Sequence, residues 1–133
     1  MAVAHRSRFA VTKFGNSETF FVFGNLQTCE RDSVRRFSSL AFKYAKRSKR
    51  FPLPCGLFEG VFCFAVCVVE ALDESTPDFV RSVIPPKHWA AVEIPVVYDR
   101  SHGKLSFFER TPLWGCAYYK GFRNQIGKYL VVP

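Results

Sequence analysis

The longest apolar segment of the chain, residues 60–69, lies between two acidic residues, Glu59 and Glu70. Its side chains are mostly β-branched, aromatic or small, which favours a strand. A short apolar run with a glycine and an acidic turn at its ends predicts a strand buried on both faces. The alternative is a short membrane helix over 53–72, which would place both glutamates in or at the rim of the bilayer at considerable cost.

Helical periodicity predicts two helices, one on each side of this strand. The first begins near Asp32, which can cap the first free amides, or one turn earlier at Thr28. Its predicted packing face consists of Val34, Phe37, Leu40, Ala41 and Tyr44. The second begins with Ser75 or Thr76 as its cap and ends before Pro85-Pro86.

Further strands are predicted from β propensity and alternation. Residues 19–23 form one such segment, which Gly24-Asn25 is expected to stop. Residues 89–98 alternate between two faces, and Pro95 within them indicates a position towards the edge of a sheet. A hairpin loop over 99–103 then leads to a partner strand at 104–109. No period is sustained after residue 111, so that part is interpreted as an aromatic and basic extension.

Composition indicates a single globular domain with an anionic partner. The chain has 133 residues, 48% of them hydrophobic, and a formal net charge of +8. This length buries a core without disulfides. The basic balance, with a pI near 9.5, favours nucleic acid or an acidic membrane as the partner. Fifteen phenylalanines indicate a large core, an aromatic binding face or burial in a larger assembly.

The cysteines and the N-terminal residues bear on the compartment. Five cysteines, an odd number, with no signal peptide ahead of them favour free thiols in a reducing, intracellular compartment. Residues 1–18 open with basic residues and no acid before Glu18. Such a segment resembles a mitochondrial targeting peptide, and a basic arm or edge strand is the alternative. Mitochondrial localisation is therefore an expectation.

Basic residues are concentrated on the outer face and at the end of the first predicted helix. Eight of them lie between 31 and 50, against one acid. A solvated helix end and a phosphate-binding patch are both consistent with this density. The residues predicted to hold phosphates there are Arg35, Arg36, Lys43, Lys46, Arg47, Lys49 and Arg50. Lys120 and Arg123 join them from a later segment that interleaves aromatic and basic residues.

Two short segments resemble the signatures of the RNA recognition motif. Phe21-Val22-Phe23-Gly24-Asn25-Leu26 is similar to the first signature, and residues 60–66 are similar to the second. The resemblance covers residues 19–98 and implies RNA binding by aromatic stacking on the sheet. If Gly60 aligns with the glycine of the family, the stacking positions fall on Val61 and Cys63. If the alignment shifts by one residue, they fall on Phe62 and Phe64, which are the expected stacking residues if they face out. The chain departs from the family at Val22 and Glu59, where an aromatic and a basic residue are usual.

Recognisable catalytic motifs are absent. The sequence contains no P-loop, GxGxxG, HExxH or GxSxG motif, so a non-enzymatic protein without a cofactor is predicted. A zinc site would need the fold to bring Cys63 and Cys67 together with histidines, and buried structural thiols are the preferred interpretation.

These observations together predict an α+β fold. The specific expectation is a ferredoxin-like split βαβ sandwich with an antiparallel sheet, two helices and a C-terminal β and aromatic extension. The predicted organisation is a basic arm (1–18), an RRM-like domain (19–98) and the extension (99–133). The predicted function is a non-catalytic RNA-binding or ribonucleoprotein subunit that contacts RNA and other protein subunits. The alternative is an accessory subunit of a large membrane complex, with 53–72 as its membrane helix.

Overall fold

The computed structural model describes residues 1–10, 15–27, 29–49, 59–70, 72, 74–88, 90–110 and 116–130. Those residues form six strands and three helices. In chain order they are β1 (Ala2–Ala10), β2 (Gly15–Leu26), α1 (Arg31–Arg47), β3 (Glu59–Val69), α2 (Ser75–Ser82), β4 (Lys87–His88), β5 (Ala91–Asp99), β6 (Lys104–Phe107) and α3 (Cys116–Tyr129).

The strands form one mixed sheet around a parallel centre. β2, β3 and β5 lie side by side and run parallel. β1 pairs antiparallel with β2 at one edge. β4 and β6 pair antiparallel with the other side of β5, near its two ends. Parallel neighbours need long crossover connections, and α1 and α2 lie within the two that this sheet requires.

The buried strand predicted in the middle of the chain is confirmed as β3. It pairs with a parallel neighbour on each side, and its side chains from Val61 to Val69 are buried or half-buried. A parallel strand covered by helices on both faces is apolar at successive positions, which explains the uninterrupted run. Residues 59–69 are thus a strand and not part of a membrane helix; residues 53–58 lie outside the described part of the chain.

Helices cover both faces of the sheet, so the molecule has three layers. α1 and α2 pack with Phe20, Cys63 and Cys67 on one face. α3 packs with Phe21 and Phe64 on the other. The α+β class is confirmed. The antiparallel, two-helix ferredoxin-like arrangement is not, because the central strands are parallel and a third helix covers the second face.

The helix α3 replaces the aromatic extension predicted at the C-terminal end. Its buried anchors are Phe122 and Ile126, together with Leu130 directly after the helix. Their spacing of four residues is helical and is visible in the sequence, but Gly121 and Gly127 interrupt the helix propensity around it. Burial of each large apolar side chain stabilises the packed helix by about 1.5–3 kcal/mol. Tertiary packing therefore outweighs the two glycines.

The buried face of α1 differs from the predicted one. Leu40 and Tyr44 are 64% and 39% exposed, although both were placed on the packing face. Val34 and Ala41 are buried as predicted, and Phe37 is half-buried. The other buried side chains are Ser38, Phe42 and Ala45. The prediction was wrong for Leu40 and Tyr44, because the apolar residues of α1 continue around the helix beyond Phe37 onto its exposed flank.

A turn glycine and a strand proline mark two features near the edge of the sheet. The hairpin between β5 and β6 is confirmed, and Gly103 adopts a φ of +60° in its turn. Pro95 lies in β5 between the residues that pair with β4 and those that pair with β6. A residue without an amide hydrogen fits this gap. The N-terminal residues form the edge strand β1, so the sheet and its cover extend beyond 19–98 on both sides.

Candidate nucleic-acid interface

The outer face of α1 is a cationic surface. The sheet-facing side of this helix takes up its small and apolar residues, so its long cationic side chains lie towards solvent. Lys46 and Arg47 stand in the last turn, where a positive charge also stabilises the carbonyl end of the helix. The predicted phosphate-binding residues that are exposed on α1 are Arg35, Arg36, Lys43, Lys46 and Arg47.

Three of these cations form a stripe along the helix. Arg36, Lys43 and Arg47 are separated by seven and four residues, which corresponds to about 10 Å and 6 Å along the helix axis. Within the part of the chain that the structure describes, none of the three has a carboxylate partner. The stripe is therefore available to an external anion.

The remaining predicted cations of this region differ in their surroundings. The guanidinium of Arg35 lies 4.9 Å from the ring centroid of Phe79 on α2, and that of Arg31 lies 5.6 Å from the same ring. These contacts help to hold α1 against α2. Lys46 lies over Phe42 at 5.9 Å. Lys49 is half-buried just after the helix, and Arg50 lies outside the described residues.

The predicted stacking residues lie under α3 and not on an open sheet. Phe64 is fully buried, with its ring stacked on Phe21 at 4.8 Å and in edge contact with Phe122 at 6.0 Å. Phe62 is half-buried, and its ring also contacts Phe122. A stacking residue needs a face open to a base. Phe64 does not meet this condition, which corrects the expectation drawn from the sequence signature.

The structure does not bring Lys120 and Arg123 together with the cations of α1. Both lie on α3, on the opposite face of the sheet. Lys120 is exposed, whereas Arg123 is half-buried and donates a hydrogen bond to the backbone carbonyl of Glu109 at 2.9 Å. The predicted nucleic-acid residues thus fall into two groups on opposite faces.

All three histidines of the chain pair with buried carboxylates. His5 contacts Glu18 at 2.7 Å, and the corresponding distances are 3.3 Å for His88 with Glu93 and 2.7 Å for His102 with Asp99. The side-chain hydrogen bond from His102 lowers the pKa of Asp99. At least three of the eleven acidic residues are therefore in the interior. The surface is correspondingly dominated by cations.

Sequence reasoning missed one further convergence of cations. Arg6 on β1 and Lys128 on α3 are far apart in the chain, and both lie against the ring of Tyr129. No local pattern in the sequence indicates this, because it depends on α3 being a helix and on β1 joining the sheet.

The described residues also bear on two other kinds of site. They include no group of three or more histidine, cysteine, aspartate or glutamate residues arranged to hold a metal ion. Among the helices that the structure describes, none combines the length and the apolar character that crossing a membrane requires. The comparisons with protein-family models, with curated proteins and with solved structures find no match to this chain.

Proposed function

We propose that this chain is a non-catalytic RNA-binding protein that contacts phosphates through the outer face of α1. The observation that supports the proposal is the stripe formed by Arg36, Lys43 and Arg47. These side chains are exposed, close together and without carboxylate partners among the described residues. Such a surface binds the phosphate backbone and releases condensed counterions.

The proposal does not require the sheet-surface mechanism of an RNA recognition motif. The similarity to that family remains a prediction, as does a ferredoxin-like relationship of the fold. Because α3 covers the sheet face that carries Phe64, RNA is expected to contact the outer face of α1 and not the sheet. Positioning by phosphate contacts carries little sequence information, so we expect binding with weak sequence preference.

The free thiols Cys29, Cys63 and Cys67 are consistent with function in a reducing compartment.

The test measures affinity for a fluorescently labelled RNA hairpin by anisotropy across a series of salt concentrations. The variant Arg36→Glu/Lys43→Glu is compared with Lys104→Glu/Arg110→Glu, which changes the net charge equally at exposed positions outside α1. Removing two phosphate contacts should reduce the steepness of the log–log salt dependence by about 1.5. We expect this change, with a large loss of affinity, only in the α1 variant. Equal behaviour of the two variants would refute the proposed interface.

A second candidate function is that of a subunit in a larger protein assembly, and exposed apolar residues favour it. Leu40 and Tyr44 lie on α1 beside the cationic stripe. Large apolar side chains in contact with solvent are typical of protein interaction surfaces when they cluster. The variant Leu40→Ser/Tyr44→Ser separates the two functions, because it should weaken protein association while the salt dependence of RNA binding stays unchanged.

A further inference from the structure

A cleft lies between strands β1 and β2 and the C-terminal half of α3. Its volume is about 200 Å³. The cleft is partly open to solvent. Side chains from three elements line it, chiefly those of Arg6, Thr19, Asn124, Gln125, Lys128 and Tyr129. Buried Phe21 also contributes to the lining. The cleft is on the α3 face of the sheet and is therefore separate from the outer face of α1.

Two cations converge in this cleft on one aromatic ring. The guanidinium carbon of Arg6 lies 5.9 Å from the ring centroid of Tyr129, and the Lys128 ammonium nitrogen lies 5.4 Å from it. A guanidinium nitrogen of Arg6 also donates a hydrogen bond to the Tyr129 hydroxyl. Each cation is attracted to the ring, and an anion bound in the cleft would compensate for the charges of both.

No acidic residue among the described ones lines the cleft to provide that compensation. Glu18 precedes Thr19 in β2, but alternation directs its side chain to the opposite face of the sheet, where it contacts His5. The positive charge of the cleft is therefore uncompensated by the side chains that line it.

The polar groups around the cleft match the needs of a phosphate. Arginine and lysine form charge-assisted hydrogen bonds with phosphate oxygens, and amide and hydroxyl groups complete its shell. The two carboxamides, Asn124 and Gln125, can both donate and accept hydrogen bonds, as the edge of a nucleobase requires. Tyr129 keeps 44% of its surface exposed beside the two cations. The set thus combines an anion site with groups suited to a nucleoside.

We propose that this cleft binds a nucleoside monophosphate, with its phosphate held between Arg6 and Lys128. The nucleoside lies towards Asn124, Gln125 and the exposed part of Tyr129. The site does not depend on RNA binding by α1, since the two surfaces lie on opposite faces of the sheet.

Calorimetric titration of the full chain with adenosine and uridine monophosphate tests the proposal. Lys128→Met and Arg6→Met each remove one cation and keep most of the aliphatic side chain. We expect saturable binding by the unmodified protein and a loss of about tenfold or more in each variant. Lys120→Met is the matched control, because Lys120 is exposed on the same helix but does not line the cleft. It should bind nucleotide with unchanged affinity.

Further titrations distinguish a nucleotide site from a simple phosphate site, and the cleft from the α1 interface. Inorganic phosphate should bind at least tenfold more weakly than the nucleotides, and equal affinity would overturn the assignment to a nucleotide. The Arg36→Glu/Lys43→Glu variant should retain nucleotide binding, so failure of the RNA interface and failure of this cleft are distinguishable. The proposal is wrong if no saturable binding occurs at millimolar nucleotide, or if Lys120→Met and Lys128→Met weaken it equally. Thermal unfolding of each variant shows whether it is folded.

Discussion

Gly24 of β2 lies directly beneath the ring of Phe37 on α1. A β carbon at position 24 would stand 2.3 Å from Cε2 of that ring, which is far inside van der Waals contact. The strand β2 continues through Gly24 to Leu26, although the sequence predicted that Gly24-Asn25 would stop it. The glycine therefore serves the close approach of a helix to a strand, and not the end of the strand.

Gly24→Ala should lower the free energy of unfolding by about 1–3 kcal/mol, because the Phe37 ring must move from its place between two core clusters. Urea unfolding measures the change. Gly127→Ala is the control: a β carbon there meets nothing within 4 Å, and alanine should stabilise α3 by about 0.5–1 kcal/mol. A Gly24→Ala/Phe37→Leu variant should recover part of the loss. A neutral Gly24→Ala would contradict the close approach.

Phe64 is expected to act as a core residue and not as a base-stacking residue. Phe64→Ala should destabilise the protein by about 3–5 kcal/mol, because the ring is fully buried between Phe21 and Phe122. Phe62→Ala should destabilise the protein less, because the Phe62 ring is only half-buried. The milder Phe64→Leu variant should lower the stability measured by urea unfolding but keep the RNA affinity of the unmodified protein. Loss of RNA affinity at unchanged stability would restore the stacking role.

Cys63 should make the protein less stable in alkaline solution. Burial and, to a smaller extent, the charge of Glu93 on the neighbouring strand raise the pKa of its thiol to about 12. An unfolded thiol loses its proton near pH 8.5, so above about pH 9 the unfolded chain releases a proton that the folded chain retains. The free energy of unfolding must then decrease by up to about 1.4 kcal/mol per pH unit from this group.

Cys63→Ala should reduce this alkaline slope, as measured by urea unfolding between about pH 9 and 11. Part of the slope should remain, because burial also raises the pKa of Cys67. Val61→Ala is the control, since it shortens a buried side chain of the same strand without removing a titrating group. It should lower stability at every pH and leave the slope as it is. An unchanged slope in Cys63→Ala would contradict the assignment.

Local physical chemistry was sufficient for several elements of the fold. The uninterrupted apolar run predicted β3, because a strand covered on both faces needs no polar alternation. The segment from Ser75 to Pro85-Pro86 was predicted as the helix α2, although its N-cap is Glu74 and not Ser75 or Thr76. Gly103 predicted the turn between β5 and β6. The cationic face of α1 was also evident, since long charged side chains lie on the solvent side of an amphipathic helix.

The sequence by itself thus determined the α+β class, the buried central strand and the cationic helix of this protein. Only the tertiary structure decided that the central strands are parallel, because strand direction depends on crossovers between distant segments. It also decided that α3 covers Phe64, and that Arg6 lies against the ring of Tyr129, more than a hundred residues away in the chain. Such contacts depend on which faces pack together, and a local pattern of residue types does not encode that choice.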